Sequence, residues 1–164
     1  MAIDPSILSE IKKDIEQQYT VMGYRPIVVL ILMNEVGEVL LVQSAKNDSW
    51  WGFPQGGINH HEDTFSAGYR ELREETGIPR EKVSITQYCG TDQIDIPGWE
   101  ERDGFKKGKR YYYILALCEG IDKINLLPEE LAGYRWVSPQ DVEYFLSTVN
   151  EEKRQSLLKA LKNV

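Results

Sequence analysis

Three glutamates in one short segment offer the clearest chemistry in this sequence. Glu71, Glu74 and Glu75 stand at positions i, i+3 and i+4, so in a helix their carboxylates share one face. Like charges at this spacing repel, and stability alone would not favour them. A divalent cation removes the conflict, because Mg²⁺ prefers oxygen ligands and usually keeps waters or substrate phosphates in its shell. The spacing therefore predicts a metal site on one helix.

A helix that can carry these glutamates is predicted over the same segment. Asp63 or Thr64 can cap its start, and Gly77 stands where helices commonly end on a glycine. Apolar or small residues recur at helical spacing and form a stripe that can be buried: Phe65, Gly68, Tyr69, Leu72 and Thr76.

The residues around the glutamates form a longer pattern with fixed gaps. Its nine fixed positions are Gly56, Glu62, Arg70, Glu71, Leu72, Glu74, Glu75, Gly77 and Ile78. This pattern resembles the signature of the Nudix hydrolase family, G-x5-E-x7-R-E-U-x-E-E-x-G-U, in which U is aliphatic. A solvated, charged helix would explain the acidic residues, but not the glycines, the arginine or the gaps.

The resemblance covers roughly residues 23–147 and implies the Nudix fold, an α/β/α sandwich around a mixed β-sheet. We expect one domain over residues 1–164, with flanking helices at 4–20 and 151–162. The reaction that the resemblance implies is hydrolysis of a nucleoside diphosphate linked to a further group, by water attack at phosphorus. The expected cofactor is Mg²⁺, with Mn²⁺ as the alternative.

The resemblance also assigns roles within the pattern. Glu71, Glu74 and Glu75 would hold one or more metal ions, and either Glu71 or Glu75 would accept the proton of the attacking water. Arg70 is expected to orient glutamates such as Glu62, because guanidinium groups grip carboxylates through two hydrogen bonds. Gly56 would let the backbone approach the metal, with its carbonyl as an extra ligand.

Two residues outside the pattern are assigned by the same resemblance. Glu130 matches an acidic residue that precedes the Gly133–Val137 ending, and Glu129 lies one position away. Either is a candidate accessory metal ligand or base, and the alternative is a simple helix-start carboxylate. Arg25 lies in a Gly-Tyr-Arg-Pro segment and is assigned to the substrate polyphosphate, with a strand-start salt bridge as the alternative.

The segment W-x-F-P-Q-G-G-I-N at residues 51–59 is narrower than the family signature. Together with the Gly-Tyr-Arg-Pro segment, it resembles the RNA pyrophosphohydrolase and dinucleoside polyphosphate hydrolase branch, and Gln55 is assigned to substrate binding on this basis. That branch commonly has Pro-Gly where this chain has His60-His61. Adjacent side chains rarely converge on one ion, so we interpret the two histidines as part of a loop. The lost glycine leaves the turn geometry open.

Residues 91–110 form a long polar segment, and such loops are uncommon in compact domains unless they are functional or mobile. As a substrate loop it would supply an aromatic residue for base stacking, Trp99 or Phe105, and cations for phosphates: Lys107, Lys109 and Arg110, beside Lys106. As a solvated hairpin extension its basic end would be balanced by Glu100, Glu101 and Asp103. Both interpretations stay open.

The remaining segments predict strands and helices in alternation. Strands are expected at 27–33, 39–44, 83–90, 111–118 and 134–137, with the first two forming a hairpin. Asp4 with Pro5, Ser138 with Pro139, and Asn150 can begin three further helices. This order favours a mixed sheet between helices.

Composition limits the partners. The chain has 41% hydrophobic residues and a net charge of −7, which argues against a stable partner such as duplex DNA but not against a phosphate substrate bound through a metal. Cys89 and Cys118 lack metal-type spacing and are predicted to be buried free thiols. No signal peptide or membrane segment is visible, so a cytoplasmic location is expected.

Three functions remain after the sequence analysis. The first is an RNA 5′-pyrophosphohydrolase that also cleaves dinucleoside polyphosphates. The second is an enzyme acting on free or oxidised (deoxy)nucleoside triphosphates, which the negative net charge slightly favours. The third is a Nudix module that binds nucleotides without catalysis, and the intact glutamates weigh against it.

Overall fold

The computed structural model describes residues 3–97 and 104–164. The helices of this part are α1 (Pro5–Val21), α2 (Thr64–Thr76), α3 (Val142–Phe145) and α4 (Glu151–Lys162). Its strands are β1 (Tyr24–Met33), β2 (Val39–Ser44), β3 (Trp51–Gly52), β4 (Gln55–Gly57), β5 (Val83–Asp95), β6 (Gly108–Cys118) and β7 (Leu131–Val137). Two 3₁₀ turns lie at Arg80–Lys82 and Pro139–Asp141.

The strands form one mixed sheet in the order β3-β2-β1-β6-β5, with β4 paired to β1 and β7 paired to β2. β1 runs parallel to β6 from Tyr24 opposite Gly108 to Met33 opposite Leu117, and antiparallel to β4. Its residues 27–32 are all buried. A continuous apolar run of this kind is typical of a strand covered on both faces.

Each face of the sheet packs against helices. On one face, α1 and α2 contribute Ile11, Ile15, Ala67 and Leu72 to a core with Val28 and Leu30 of β1 and Tyr112 and Ile114 of β6. On the other face, α3 and α4 contribute Val142, Leu157 and Ala160 to a core with Ile27, Val29, Tyr111 and Tyr113. The predicted α/β sandwich with N-terminal and C-terminal helices is confirmed.

The predicted helix starts at Asp4, Asp63 and Asn150 are confirmed by side-chain caps. Each of the three side chains accepts a hydrogen bond from a backbone N–H in the first turn. The helix predicted from residue 138 to about 147 is shorter than expected. Its first residues form the 3₁₀ turn, and only Val142–Phe145 is α-helical.

The sheet confirms one further prediction and corrects another. β1 and β2 form the predicted antiparallel hairpin, but it is short, with Met33 opposite Val39 as its register pair, because β1 uses β6 and β4 as its main partners. The polar segment 91–110 is not one loop, since residues 91–95 belong to β5 and residues 108–110 belong to β6. The polar side chains lie on an edge strand, where one face tolerates water, and the backbone ladder continues through them.

Cys89 and Cys118 are free and buried, as predicted. Within residues 3–97 and 104–164, no helix is both long and apolar enough to cross a membrane.

Candidate active site

Helix α2 places three carboxylates along one side, close to strand β4. The Glu75 residue is only 5% exposed, and the side chain of Glu71 is 13% exposed, whereas that of Glu74 is 54% exposed. The Glu75 Oε2 atom accepts a hydrogen bond of 3.4 Å from the backbone N–H of Gln55 in β4. Two of the three carboxylates are therefore buried beside β4, and the third is exposed to solvent.

Arg70 holds the carboxylates in place from the same helix. Its Nε and Nη2 atoms donate to the two oxygens of Glu62, each at 2.8 Å, which is the forked contact expected from the sequence. Its Nη1 atom donates to Glu71 at 2.7 Å and lies 3.4 Å from Glu74 Oε2. Its Nη2 atom also donates to the Gly57 carbonyl at 2.8 Å, so the guanidinium connects α2 to β4. The Arg70 guanidinium is thus engaged by two carboxylates and a backbone carbonyl.

Gly56 lets the Glu71 carboxylate lie directly against β4. A Cβ atom at this position would stand 1.9 Å from Glu71 Cδ and 2.1 and 2.4 Å from its two oxygens. Real side-chain contacts are never this short, so Glu71 could not keep its position beside any other residue. The glycine of the pattern is therefore required by close approach rather than by a turn.

The clustering of negative charge affects the acid–base properties of the site. Burial, followed by the charges of Glu71 and Glu130, raises the pKa of Glu75 to about 8. Burial also raises the pKa of Glu71, which the hydrogen bond and charge of Arg70 oppose. Glu130, in the turn before β7, is close enough to act on both groups, which places it beside the α2 cluster.

The donor set fits a divalent cation. Carboxylates from Glu71, Glu74 and Glu75, with Glu130 nearby, offer hard oxygen ligands, and a cation among them would offset the burial and mutual repulsion that raise the pKa of Glu71 and Glu75. The residues that the sequence assigned to the metal are thus brought together by α2, β4 and the turn before β7.

Three basic side chains lie across β4 from these carboxylates. Arg25 and Lys109 are register partners on β1 and β6, and the Arg25 guanidinium lies so close to Gly57 that a Cβ there would stand 2.7 Å from Nη2. Lys153 of α4 donates to Gln55 Oε1 at 3.1 Å. We call Arg25, Lys109 and Lys153 the basic wall, and Glu71, Glu74, Glu75 and Glu130 the acidic wall.

Lys153 is the residue that sequence reasoning missed. Its Nζ lies 3.4 Å from the centre of the Tyr111 ring, and no carboxylate of the described residues forms an ion pair with it. Burial, and then the charge of Lys109, lower the pKa of Lys153 well below its usual range. Its neighbours in the sequence are those of an ordinary amphipathic helix, and only the packing of α4 on the sheet reveals its position.

The other basic residues assigned to substrate lie away from the basic wall. Arg110 points to the opposite face of the sheet, where it contacts Asp14 of α1 at 2.6 Å and Gln93 at 2.8 Å. Lys107 is exposed, and its backbone N–H donates to the carbonyl of Gly23 between α1 and β1. Phe105 is 2% exposed and packs edge-on against Tyr19, so it is a core residue rather than a base-stacking one. Trp99 lies outside the described residues.

Comparison with known proteins identifies this arrangement. The model of the NUDIX domain family matches residues 23–160. The chain belongs to the Nudix family. It is 35% identical over 150 residues to the RNA pyrophosphohydrolase of Ectopseudomonas mendocina, covering 87% of this chain and 92% of that protein. The RNA pyrophosphohydrolase of Stutzerimonas stutzeri is 34% identical over 150 residues with the same coverage, 87% and 92%.

Solved Nudix structures share the fold. The Caenorhabditis elegans Ap4A hydrolase in a binary complex superposes with a TM-score of 0.64 at 22% identity, covering 85% of this chain and 93% of that one. The Escherichia coli dihydroneopterin triphosphate pyrophosphohydrolase superposes with a TM-score of 0.62 at 17% identity, covering 87% of this chain and 99% of that one. Family membership makes this chain a Nudix pyrophosphohydrolase that uses divalent metal ions and a nucleotide substrate.

Proposed function

We propose that this Nudix enzyme removes pyrophosphate from the 5′ end of triphosphorylated RNA with Mg²⁺, and that it also cleaves dinucleoside polyphosphates. The RNA substrate is supported by the curated relatives named RNA pyrophosphohydrolase, which match over 92% of their length. The observation that carries a polyphosphate substrate is the position of Lys153, which donates to Gln55 of β4 and has no ion pair among the described residues, while the backbone of Gln55 contacts Glu75.

The acidic wall is proposed to hold the metal. Glu71, Glu74 and Glu75 supply carboxylate oxygens, the Gly56 carbonyl and Glu130 are accessory donors, and Arg70 fixes Glu71 through its 2.7 Å contact. When bound, the divalent ion supplies Lewis-acid stabilisation of phosphoryl charge and lowers the pKa of a water. The sequence of Gln55, Gly56 and Gly57 keeps this wall within reach of the substrate on the other side of β4.

We assign the role of general base to Glu75. Glu71 is held by a short contact to the Arg70 guanidinium, which stabilises its charged form and makes it a weaker base. Glu75 has a single contact of 3.4 Å, from the backbone N–H of Gln55, and no arginine contact. Of these two carboxylates, Glu75 is therefore the one whose charged form is stabilised less, which favours it as the group that takes a proton from the attacking water.

The basic wall is proposed to bind the phosphates. The Lys153 ammonium packs against the Tyr111 ring and has no carboxylate partner among the described residues, and a bound anion would supply one. Arg25 adds a guanidinium that can grip a phosphate through two hydrogen bonds. Gln55 connects the walls, since its backbone contacts Glu75 and its side chain contacts Lys153.

The proposal is tested by product analysis with Mg²⁺ on three substrates in parallel: a short 5′-triphosphorylated RNA, diadenosine tetraphosphate, and free (deoxy)nucleoside triphosphates. We expect pyrophosphate release from the RNA at the highest kcat/KM. A preference for free nucleotides would favour the nucleotide-pool function instead, which the net charge of −7 supports because it weakens long-range attraction of RNA.

A further inference from the structure

Helix α1 precedes the NUDIX match, which begins at residue 23, yet it contacts residues 58–62 between β4 and α2. We call residues 58–62 the entry turn. The Tyr19 hydroxyl donates to the carbonyl of Ile58, and the Tyr19 ring stacks on His60 with centroids 4.4 Å apart and planes at 11°. Glu16 lies 3.4 Å from His60 Nε2 and 3.3 Å from His61 Nδ1. Two side chains of α1 thus hold the entry turn.

The entry turn leads to the arginine that contacts the carboxylates of α2. The backbone N–H of Asn59 donates to Glu62 Oε1 at 3.1 Å, and the backbone N–H of Glu62 donates to the carbonyl of Asn59 at 2.9 Å. The Glu62 carboxylate accepts two bonds from Arg70, whose Nη1 atom contacts Glu71 at 2.7 Å. A shift of the entry turn would therefore displace Arg70 and, through it, the Glu71 carboxylate.

The backbone of the entry turn is unfavourable at one position. His61 has a φ of 67°, in the left-handed region, which costs a residue with a Cβ about a factor of ten in population. Such a conformation persists where the surrounding structure fixes it. The His61 ring stacks on His60 with centroids 3.8 Å apart and planes at 16°, so it extends the stack that begins with Tyr19 on α1.

The first half of α1 leaves open space beside the entry turn. His61 and Glu62 border a cavity of about 330 Å³, whose other side is formed by Leu8 and Ile11 of α1. The contacts of Tyr19 and of Glu16, both from the second half of α1, therefore become more important for holding the turn.

We propose that Tyr19 is a positioning residue for the metal site, and that with Glu16 it holds the entry turn in the conformation in which Glu62 fixes Arg70. The inference rests on the proposed binding of the divalent ion by the acidic wall. Tyr19 acts through Glu62 and Arg70 and is not itself a metal ligand. Glycine at position 61 should remove the need for the contacts from α1, because glycine adopts a left-handed backbone without steric cost.

Direct metal binding tests this role without substrate. Mn²⁺ is titrated into the full chain, and binding is followed by the loss of the electron paramagnetic resonance signal of the free ion. Tyr19→Leu should weaken Mn²⁺ binding about tenfold, since it removes one hydrogen bond and one ring stack. Tyr88→Leu is the matched control, because Tyr88 packs against the same core and its hydroxyl contacts Thr91 on β5. It should retain the wild-type affinity for Mn²⁺.

Rescue separates positioning from general destabilisation. Both tyrosine variants should lower the midpoint of thermal unfolding, but only the Mn²⁺ affinity of Tyr19→Leu should depend on position 61. We expect the double variant Tyr19→Leu/His61→Gly to bind Mn²⁺ nearly as well as wild type, and His61→Gly alone to stay close to wild type. If Tyr19→Leu does not fold, Tyr19→Phe tests the hydroxyl bond alone, with an expected loss of about fivefold.

Equal Mn²⁺ affinities of wild type and the folded Tyr19 variant would overturn the positioning role while leaving the proposed metal site in place. A loss of the same size with His61→Gly as without it would overturn the role of the left-handed backbone. A wild-type chain that binds no Mn²⁺ would overturn the assignment of the metal to the acidic wall, and this inference with it.

Discussion

The acidic wall and the basic wall are assembled in opposite ways. Three members of the acidic wall lie within five consecutive residues of α2, and Arg70 of the same helix contacts two of them, Glu71 and Glu74. The members of the basic wall come from β1, β6 and α4, and packing across the sheet brings them together. The negative charge is therefore concentrated on one helix, whereas the positive charge is assembled from three segments that are distant in the sequence.

Strand β4 separates the two walls by the thickness of one backbone. Gly56 faces α2, where the Glu71 carboxylate occupies the space of a side chain, and Gly57 lies against the Arg25 guanidinium. The absence of two side chains allows opposite charges to approach from both faces. The two adjacent glycines thus let the Glu71 carboxylate and the Arg25 guanidinium lie against the same strand.

The acidic wall should dominate turnover. We expect Glu75→Gln to lower kcat by about 10²–10⁴-fold, because a positioned general base contributes that range, and Glu74→Gln to lower it by orders of magnitude through lost metal charge stabilisation. Steady-state kinetics with circular dichroism as the folding check measures this effect. Exposed Glu143→Gln on α3 is the control. Unchanged kcat in either folded α2 variant would remove that glutamate from the site.

Alanine substitutions at Gly56 in β4 and at Gly52 in β3 test whether the close approach of Glu71 to Gly56 matters. Gly56→Ala should lower kcat by about 10²-fold, because the new Cβ displaces Glu71 and misplacement by about 1 Å costs that much. Gly52→Ala in β3 has no heavy atom within 4 Å of the new Cβ and should retain activity. Equal activities of the two variants would show that the contact between Glu71 and Gly56 is not needed.

The basic wall should affect substrate binding more than the chemical step. Lys153→Met keeps the length of the side chain but removes the charge, so we expect kcat/KM to fall about tenfold, mainly through KM, as for one lost charge-assisted hydrogen bond. Lys162→Met near the exposed end of the same helix is the matched control. A fall in kcat with KM unchanged would place Lys153 among the groups that act on the transition state instead.

The smallest predicted effect concerns stability without metal. The pKa of Glu75 is about 8 in the folded protein and 4.5 as the reference value, so the folded state binds the proton more tightly. The stabilisation of the folded state that comes from this tighter proton binding is fully present below pH 4.5 and is lost as pH rises through about 8. Glu75→Gln should therefore raise the free energy of unfolding above pH 8 by roughly 1–3 kcal/mol.

Chemical denaturation at several pH values, in the presence of a chelator, measures this difference. The gap between Glu75→Gln and wild type should narrow as pH falls, and a saturating divalent ion should reverse its sign at high pH. A gap that is constant with pH would mean that Glu75 titrates normally in the folded protein.

Sequence reasoning was most successful where ligands and scaffold are local. The helix with Asp63 as its cap, the stripe through Leu72 and the convergence of Glu71 with Glu75 all follow from periodicity within one helix. Arg70 and Glu62 lie eight residues apart across the helix start, and family resemblance supplied that pair. The roles assigned to these residues stay predictions.

Long-range packing explains what the sequence analysis missed. Lys109 and Arg110 are adjacent in the sequence, but strand alternation sends them to opposite faces, and only Lys109 joins the basic wall. Lys153 depends on how α4 docks over Tyr111, which local periodicity does not specify. The contact of His61 with the distant Glu16 depends on how α1 packs beside the loop that leads into α2, where His61 has a left-handed backbone.

Binding of 5′-triphosphorylated RNA to a slowed enzyme tests the division of labour between the walls most directly. Dissociation constants are measured with Mg²⁺ for Glu75→Gln and for the double variant Glu75→Gln/Lys153→Met. We predict that Glu75→Gln binds the RNA while turning it over very slowly, and that adding Lys153→Met weakens binding about tenfold. Equal affinities of the two proteins would contradict the proposal that the basic wall holds the polyphosphate.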